Sequence, residues 1–254
     1  MTEKEPSYPA LLIFDVDGTL THSAGLTRVA FETVFQEIYG VAQATAGVNP
    51  HGRTDPMIFR DVLTRNSIEI QDFDRQFDEF SDQYVVLLER LLGGSKQVHL
   101  HKGVKALLEK LKPLPNIYLA LGTGNVERAA FHKLNRHGIA HFFPAGGFGS
   151  DDEDRSRLLL TAHERAQNYY RKPFPIRDTW IIGDTPNDVL SGQRIGASTI
   201  AVATGDYDLQ ILARSRPDGL LPDFDDQERF LSIIRRKIKL TREFLVKDSF
   251  RSQE

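Results

Sequence analysis

Cysteine is absent from this 254-residue sequence. That excludes disulfides, thiolate nucleophiles and zinc–thiolate centres, so any metal must be held by oxygen or imidazole. No apolar run approaches the ~20 residues that span a bilayer. The opening Met1-Thr2-Glu3-Lys4-Glu5-Pro6 has no apolar signal-peptide core. The expected setting is therefore cytoplasmic, without a membrane. Charge of one sign is lacking too: 32 Lys and Arg face 35 Asp and Glu, a formal net charge of −3. This balance gives no electrostatic reason to expect a nucleic-acid partner. One local basic cluster, Arg235-Arg236-Lys237-Ile238-Lys239, lies in a helical pattern with Glu243 and Asp248 after it, and reads as a solvated helix face.

What is present fits a globular protein: 40% of residues are apolar and 26% charged, in a chain long enough to bury a sizeable core. Short apolar runs at Leu11 to Phe14, Ile117 to Leu121, Trp180 to Ile182 and Thr199 to Ala203 read as strands. Helical spacing marks Val104 to Leu111, Glu127 to His137, Leu158 to Tyr170 and Val189 to Arg194 as crossover helices. The alternation predicts an α/β fold, a Rossmann-like doubly wound parallel sheet with helices on both faces. Between Thr21 and His101 the rhythm breaks. Ala30 to Tyr39, Pro56 to Thr64 and Phe73 to Leu92 are helical with almost no strand signal, and Gly93-Gly94-Ser95 reads as a flexible exit. The expected organisation is a core from 1–20 and 102–225, an inserted all-helical cap over 21–101, and a C-terminal helical extension over 226–254.

In open parallel sheets ligands bind beyond the carboxyl ends of the strands. Those ends read Asp15-Val16-Asp17-Gly18-Thr19, Gly122-Thr123-Gly124-Asn125 and Gly183-Asp184-Thr185-Pro186-Asn187-Asp188. Asp15 and Asp17 point to opposite faces while the chain is extended, but a turn at Gly18 swings Asp17 back toward the same site. One carboxylate can then attack while its neighbour carries a proton. Carboxylates converging from two strands repel one another unless a cation neutralises them, so the site asks for a metal. All-oxygen ligation suits a hard ion, and Mg2+ fits best because it keeps waters and shares its remaining positions with phosphate. Asp15 and Asp184 are the expected side-chain ligands. The Gly-Thr-Gly-Asn turn opens a helix, where a hydroxyl and free backbone N–H groups can hold an anion. A phosphoryl group meets these requirements together.

These motifs resemble the first, second and fourth motifs of the haloacid dehalogenase-like hydrolase superfamily, and the resemblance covers nearly the whole chain. It implies that Asp15 is the nucleophile, forming an aspartyl-phosphate. It also implies that Asp17 is the general acid/base, with its backbone carbonyl on Mg2+, that Thr123 binds the phosphoryl oxygens, and that Asp184 ligates the metal with Asp188 in support. A halide leaves without a proton, so a second Asp at position 17 favours phosphatase over dehalogenase chemistry. One motif departs from the family pattern. Where a lysine is usual, Gly149-Ser150-Asp151-Asp152-Glu153-Asp154-Arg155-Ser156-Arg157 offers only arginines. Arg155 or Arg157 can take the electrostatic role, with a planar fork in place of a point charge. The acidic run Asp151 to Asp154 suits a helix start or an added metal contact.

The helical segment resembles the cap of the phosphoglycolate phosphatase-like and beta-phosphoglucomutase-like branch. By that likeness Gly52-Arg53-Thr54-Asp55 is its substrate-facing loop, and Arg53 would meet a second anionic group. His22 and His101 lie near the two presumed hinges, where packing is the more ordinary role. The expected function is a Mg2+-dependent phosphatase of a small phosphorylated metabolite, acting as a monomer or homodimer. The alternatives are a phosphosugar mutase and, from a different class, a non-catalytic phosphometabolite-binding protein.

Overall fold

Alternation along Ala10-Leu11-Leu12-Ile13-Phe14 determines the layering. In the computed structural model, which describes residues 9–236, these five residues form β1 (Ala10–Phe14), and all are buried. Ala10, Leu12 and Phe14 point into one hydrophobic cluster, while Leu11 and Ile13 point into another. A strand that sends successive side chains to opposite apolar layers must have helices on both faces. One face is covered by α4 (Val104–Leu111) and α5 (Glu127–Arg136), with Phe230, Leu231 and Ile234 from a helical run over 227–236. On the other face lies α6 (Arg155–Tyr170), through Leu158, Leu159, Ala162 and Ala166. Each large apolar side chain so buried contributes roughly 1.5–3 kcal/mol, so a charge at Leu12 would break the layer.

The sheet has six parallel strands. Beside β1 run β4 (Ile117–Thr123) and β5 (Gly146–Phe148) on one side, and β6 (Thr179–Gly183), β7 (Ser198–Val202) and β8 (Gly219–Leu221) on the other. The crossover after β6 is α7 (Pro186–Arg194), and α8 (Leu209–Arg214) follows β7. The edge strands β5 and β8 escape sequence reading: three residues, glycine-containing, carry no period. Two helices begin earlier than their apolar spacing indicates, because polar caps start them. Asp154 accepts from the Ser156 N–H at 2.8 Å to open α6, and Thr185 with Asp188 forms a capping box for α7.

Between β1 and α4 lie three helices, α1 (Leu26–Tyr39), α2 (Asp55–Arg65) and α3 (Phe73–Gly94). Their common core is aromatic, with Phe31, Phe35, Phe59, Phe77, Phe80 and Tyr84 in mutual contact. It extends onto α5 through Val126 and Ala129. The two chain connections run side by side as a short antiparallel ribbon, β2 (Thr21–His22) with β3 (His99–Leu100). This corrects the strandless expectation for the segment. The Gly93-Gly94-Ser95 exit is likewise helical through Gly94: both glycines face open space and nothing interrupts the last turn. Among the described residues no helix is long and apolar enough to cross a membrane. Arg235 and Arg236 are exposed, whereas Lys237, Ile238, Lys239 and the rest of the expected C-terminal extension to 254 lie outside the described residues.

Candidate active site

Strand β1 ends by passing its ladder to Asp15, whose N–H donates to the Ile182 carbonyl at 2.9 Å. Asp15 thus stands at the centre of the sheet's carboxyl edge, 6% exposed. The chain then turns tightly, with Leu20 and Thr21 N–H groups donating to the Val16 carbonyl and the Gly18 N–H to Thr21. Gly18 adopts φ 75°, and a Cβ there would sit 2.3 Å from Asp184 Oδ2. Glycine is therefore needed twice over: for the left-handed backbone and to admit the carboxylate from the β6 tip. Asp184 is fixed by the Thr19 hydroxyl, which donates to its Oδ1 at 2.9 Å.

Asp15, Asp184 and Asp188 each bring an oxygen within 4.8 Å of the others, and all three are buried. Burial pushes the Asp15 carboxyl up to about 6, with Arg155 opposing and the charges of Asp188 and Asp17 adding to the rise. Asp184 is driven well above the ordinary range by burial, then by Asp188 and Asp15. Arg155 lies between Asp15 and Asp188, its Nη2 3.0 Å from Asp15 Oδ1 and hydrogen-bonded to Asp188 Oδ1. Burial disfavours its charge, but the two carboxylates outweigh that and hold the guanidinium protonated. Three acids against one arginine leave a net deficit equal to the charge of one divalent cation, and an all-carboxylate donor set suits a hard ion such as Mg2+. Asp188 is the most committed of the three: its Oδ2 accepts from the Thr185 N–H and hydroxyl, and its Oδ1 from Arg155. That makes it a support for its neighbours more than a free ligand.

Of the two candidate arginines the structure brings Arg155 to the acids. Arg157 is solvated, with Asp152 3.7 Å away and 73% of its side chain exposed. Two residues apart in a helix means about 200° of rotation, which sends them to opposite sides, and the Asp154 cap fixes which of them faces inward. The acidic run is spent on structure: Asp151 grips Arg165 through two bonds of 2.7 Å, and Glu153 pairs with Arg60.

Asp17 occupies a different environment from Asp15. Its side chain is 36% exposed, facing a cavity of about 970 Å³ shared with Asp15, Thr123, Asn125, Arg155 and Asp184. Burial alone would raise its carboxyl, but the charge and hydrogen bond of Lys133, with bonds from Ser23 and Asn125, hold it below the ordinary value. Lys133 is missing from the sequence reading. It is 1% exposed, and its Nζ donates to Asp17 Oδ2 and Asn125 Oδ1, both at 2.5 Å. The available signal was its place on the buried face of α5, four residues from Ala129 and next to Leu134; a helical lysine otherwise reads as solvated.

Thr123 is fully buried at the β4 tip, and its oxygen accepts from Asn125 Nδ2 at 2.8 Å, which leaves its own proton to donate. Asn125 enters the site with its amide committed to Asp17, Thr123 and Lys133. Gly124 has another duty. An added Cβ would lie 2.1 Å from the Arg53 carbonyl, so this position lets the cap loop touch the core. The adjoining seam is polar: the Asp55 N–H donates to the Gly124 carbonyl at 2.7 Å, and Asp55 Oδ2 accepts from the Val126 N–H at 2.8 Å. Asp55 is raised to about 6, by burial foremost. Arg53 lines the cavity with its guanidinium paired to Asp61 at 2.6 Å.

His22 lines the cavity as well, and its ring lies 4.9 Å from His99 and 6.0 Å from His101. His101 is kept neutral down to about 4 by burial and then by the two neighbouring imidazoles. Beyond β7, Asp206 lies 3.3 Å from His51 of the cap, and Asp208 caps α8.

The family described as haloacid dehalogenase-like hydrolase matches residues 12–202. A phosphoglycolate phosphatase of Vibrio cholerae is 29% identical over 228 residues, covering 84% of this chain and 92% of that protein. The pyrophosphatase PpaX of Oceanobacillus iheyensis is 26% identical over 218 residues, covering 85% and 93%. Among solved structures, a hydrolase from Pseudomonas syringae shares the fold at TM-score 0.67 and 22% identity, over 88% of this chain and 98% of that one.

Proposed function

The chain belongs to the haloacid dehalogenase-like hydrolase family, and on that premise we propose that it is a phosphatase of small phosphorylated metabolites, phosphoglycolate-like acids first among them. The observation that carries this reading is the pairing of two carboxylates at one strand tip with two different cations. Asp15 faces Arg155, and Asp17 faces Lys133. Two acids held by separate cations can take separate roles, and family membership makes Asp15 the proposed nucleophile and Asp17 the proposed proton carrier.

Asp17, held ionised beside Lys133 in the free site, first takes the proton of the incoming phosphate monoanion. Asp15 then attacks phosphorus, forming the acyl–phosphate bond as the ester P–O bond breaks, and the departing alkoxide takes that proton from Asp17. Asp17, now ionised, removes a proton from water, which attacks the same phosphorus and releases phosphate and free Asp15. Arg155 favours the ionised nucleophile. The Thr123 hydroxyl, with the Gly124 N–H beside it, is the proposed receiver of phosphoryl oxygens, because the Val126 and Glu127 N–H groups at the start of α5 are taken by Asp55 and Ser150. Mg2+ held by Asp15 and Asp184, with the Asp17 carbonyl and Asp188 in support, would supply the positive charge that the gathered carboxylates and phosphate require. Arg53 in the cap wall is the proposed contact for a second anionic group, reached by exchanging its Asp61 partner.

Purified protein with Mg2+ and p-nitrophenyl phosphate tests the activity, followed by a panel containing 2-phosphoglycolate, pyrophosphate and hexose phosphates. The expected result is phosphate release that an Asp15→Asn variant lacks. No turnover above that variant would favour a binding protein, and phosphoryl transfer between sugar positions without net release would favour a mutase.

A further inference from the structure

The two oxygens of the Asp17 carboxylate are held in unequal ways. Oδ2 is bound by Lys133 Nζ at 2.5 Å and by Asn125 Nδ2 at 2.9 Å. These two partners are joined to each other, Lys133 Nζ to Asn125 Oδ1 at 2.5 Å, and Asn125 is joined in turn to Thr123. Thr123 ends β4, Lys133 lies on α5 and Asn125 sits in the turn between them, and all three are buried. Among the described residues Oδ1 has one partner of another kind: the Ser23 hydroxyl, which donates at 2.7 Å. Ser23 lies between β2 and α1, on the connection into the helical segment, and its hydroxyl is a single-bond rotor.

A closed triangle of charge-assisted bonds fixes one oxygen, while a lone hydroxyl occupies the other. We infer that Lys133 is a positioning residue for the phosphatase chemistry proposed above, on which this inference rests. Lys133 and Asn125 anchor Oδ2, and Oδ1 is the working oxygen. Ser23 holds the place that the substrate's bridging oxygen, and later the attacking water, takes up. A carboxylate tethered at one oxygen keeps a fixed plane when the other changes partners, which near-attack geometry demands. The proton given to the leaving oxygen and the proton taken from water both pass through Oδ1, and Lys133 gains or loses none.

The test separates the two half-reactions with p-nitrophenyl phosphate and Mg2+, because p-nitrophenolate departs without needing a proton whereas hydrolysis of the phosphoenzyme needs the base. In Lys133→Met the burst of p-nitrophenolate should stay within about threefold of wild type, while steady-state turnover falls by about a hundredfold at unchanged KM, the size expected for a misplaced general base. Ser23→Ala should keep both phases within about threefold, since it removes only the placeholder. Burst and steady state falling together in a folded Lys133→Met protein, or neither falling, would overturn the inference. Should that variant fail to fold, Asn125→Ala removes the other anchor of the same oxygen and must show the same split. A wild-type enzyme that turns over with no covalent intermediate would defeat the proposed mechanism itself; a wild-type burst with an unaffected Lys133→Met variant defeats only the anchoring role.

Discussion

The sheet and the helical segment bury their interiors with different side chains. Strand β1 alternates four aliphatic residues and Phe14, whose ring meets Phe143, Phe224 and Phe230, between two layers at once. The helices over α1 to α3 pile up rings, with Phe80 alone touching Phe31 at 4.5 Å, Phe59 at 4.8 Å and Phe35 at 5.3 Å between centroids. The difference follows from what each must position. Parallel strands 4.8 Å or so apart deliver residues to one edge at fixed spacing, so the reacting groups sit on strand tips. The aromatic pile positions no reacting atom. It shapes a wall over those tips and meets the core through a ribbon of two-residue strands, an apolar patch on α5, and the polar seam around Asp55.

That contrast can be broken most forcefully from the aromatic side. Phe80→Ala should cost about 3–5 kcal/mol, because ring contacts on several sides are lost and rigid neighbours do not collapse into the space. Urea denaturation checks it, and a loss under 1 kcal/mol would mean that the pile is not the cap's main support.

The seam gives an effect of intermediate size with a definite pH signature. Burial raises Asp55 to about 6, so the fold favours its protonated form. Its contribution is fully present below the ordinary carboxyl value, and is lost as pH climbs through about 6. The stability of wild type relative to Asp55→Asn should therefore fall across pH 4 to 6, by at most about 3 kcal/mol for a two-unit shift. Measuring the difference cancels the contribution of Asp15, which titrates in the same range. A flat difference would show that the Val126 N–H already compensates for burial. Smallest of all should be Arg60→Ala at the outer seam, where both partners of the Glu153 pair are over a third exposed: below about 1 kcal/mol and weaker still in salt.

The same contrast explains what could be read from the sequence. Asp15, Asp17, Thr123 and Asp184 were legible because a buried strand followed by a polar tip has a period and an end. Phe73 to Leu92 was legible because apolar residues at helical spacing persist for more than five turns. Lys133 was hidden since the sequence alone does not reveal that Asp17 lies within its reach; a lysine's depth in a helix is a tertiary fact. The choice between Arg155 and Arg157 was hidden because one cap residue, Asp154, sets the helix phase. The ribbon of β2 and β3 was hidden because two residues cannot show alternation.

The account's central claim is that the carboxylate of Asp15 becomes covalently phosphorylated. Acid-quenching the enzyme during turnover, followed by mass spectrometry of its peptides, tests this most directly. The account predicts an acyl phosphate on the peptide containing Asp15, discharged by hydroxylamine and absent from Asp15→Asn. Phosphate on any other residue, or full turnover by Asp15→Asn, would contradict it.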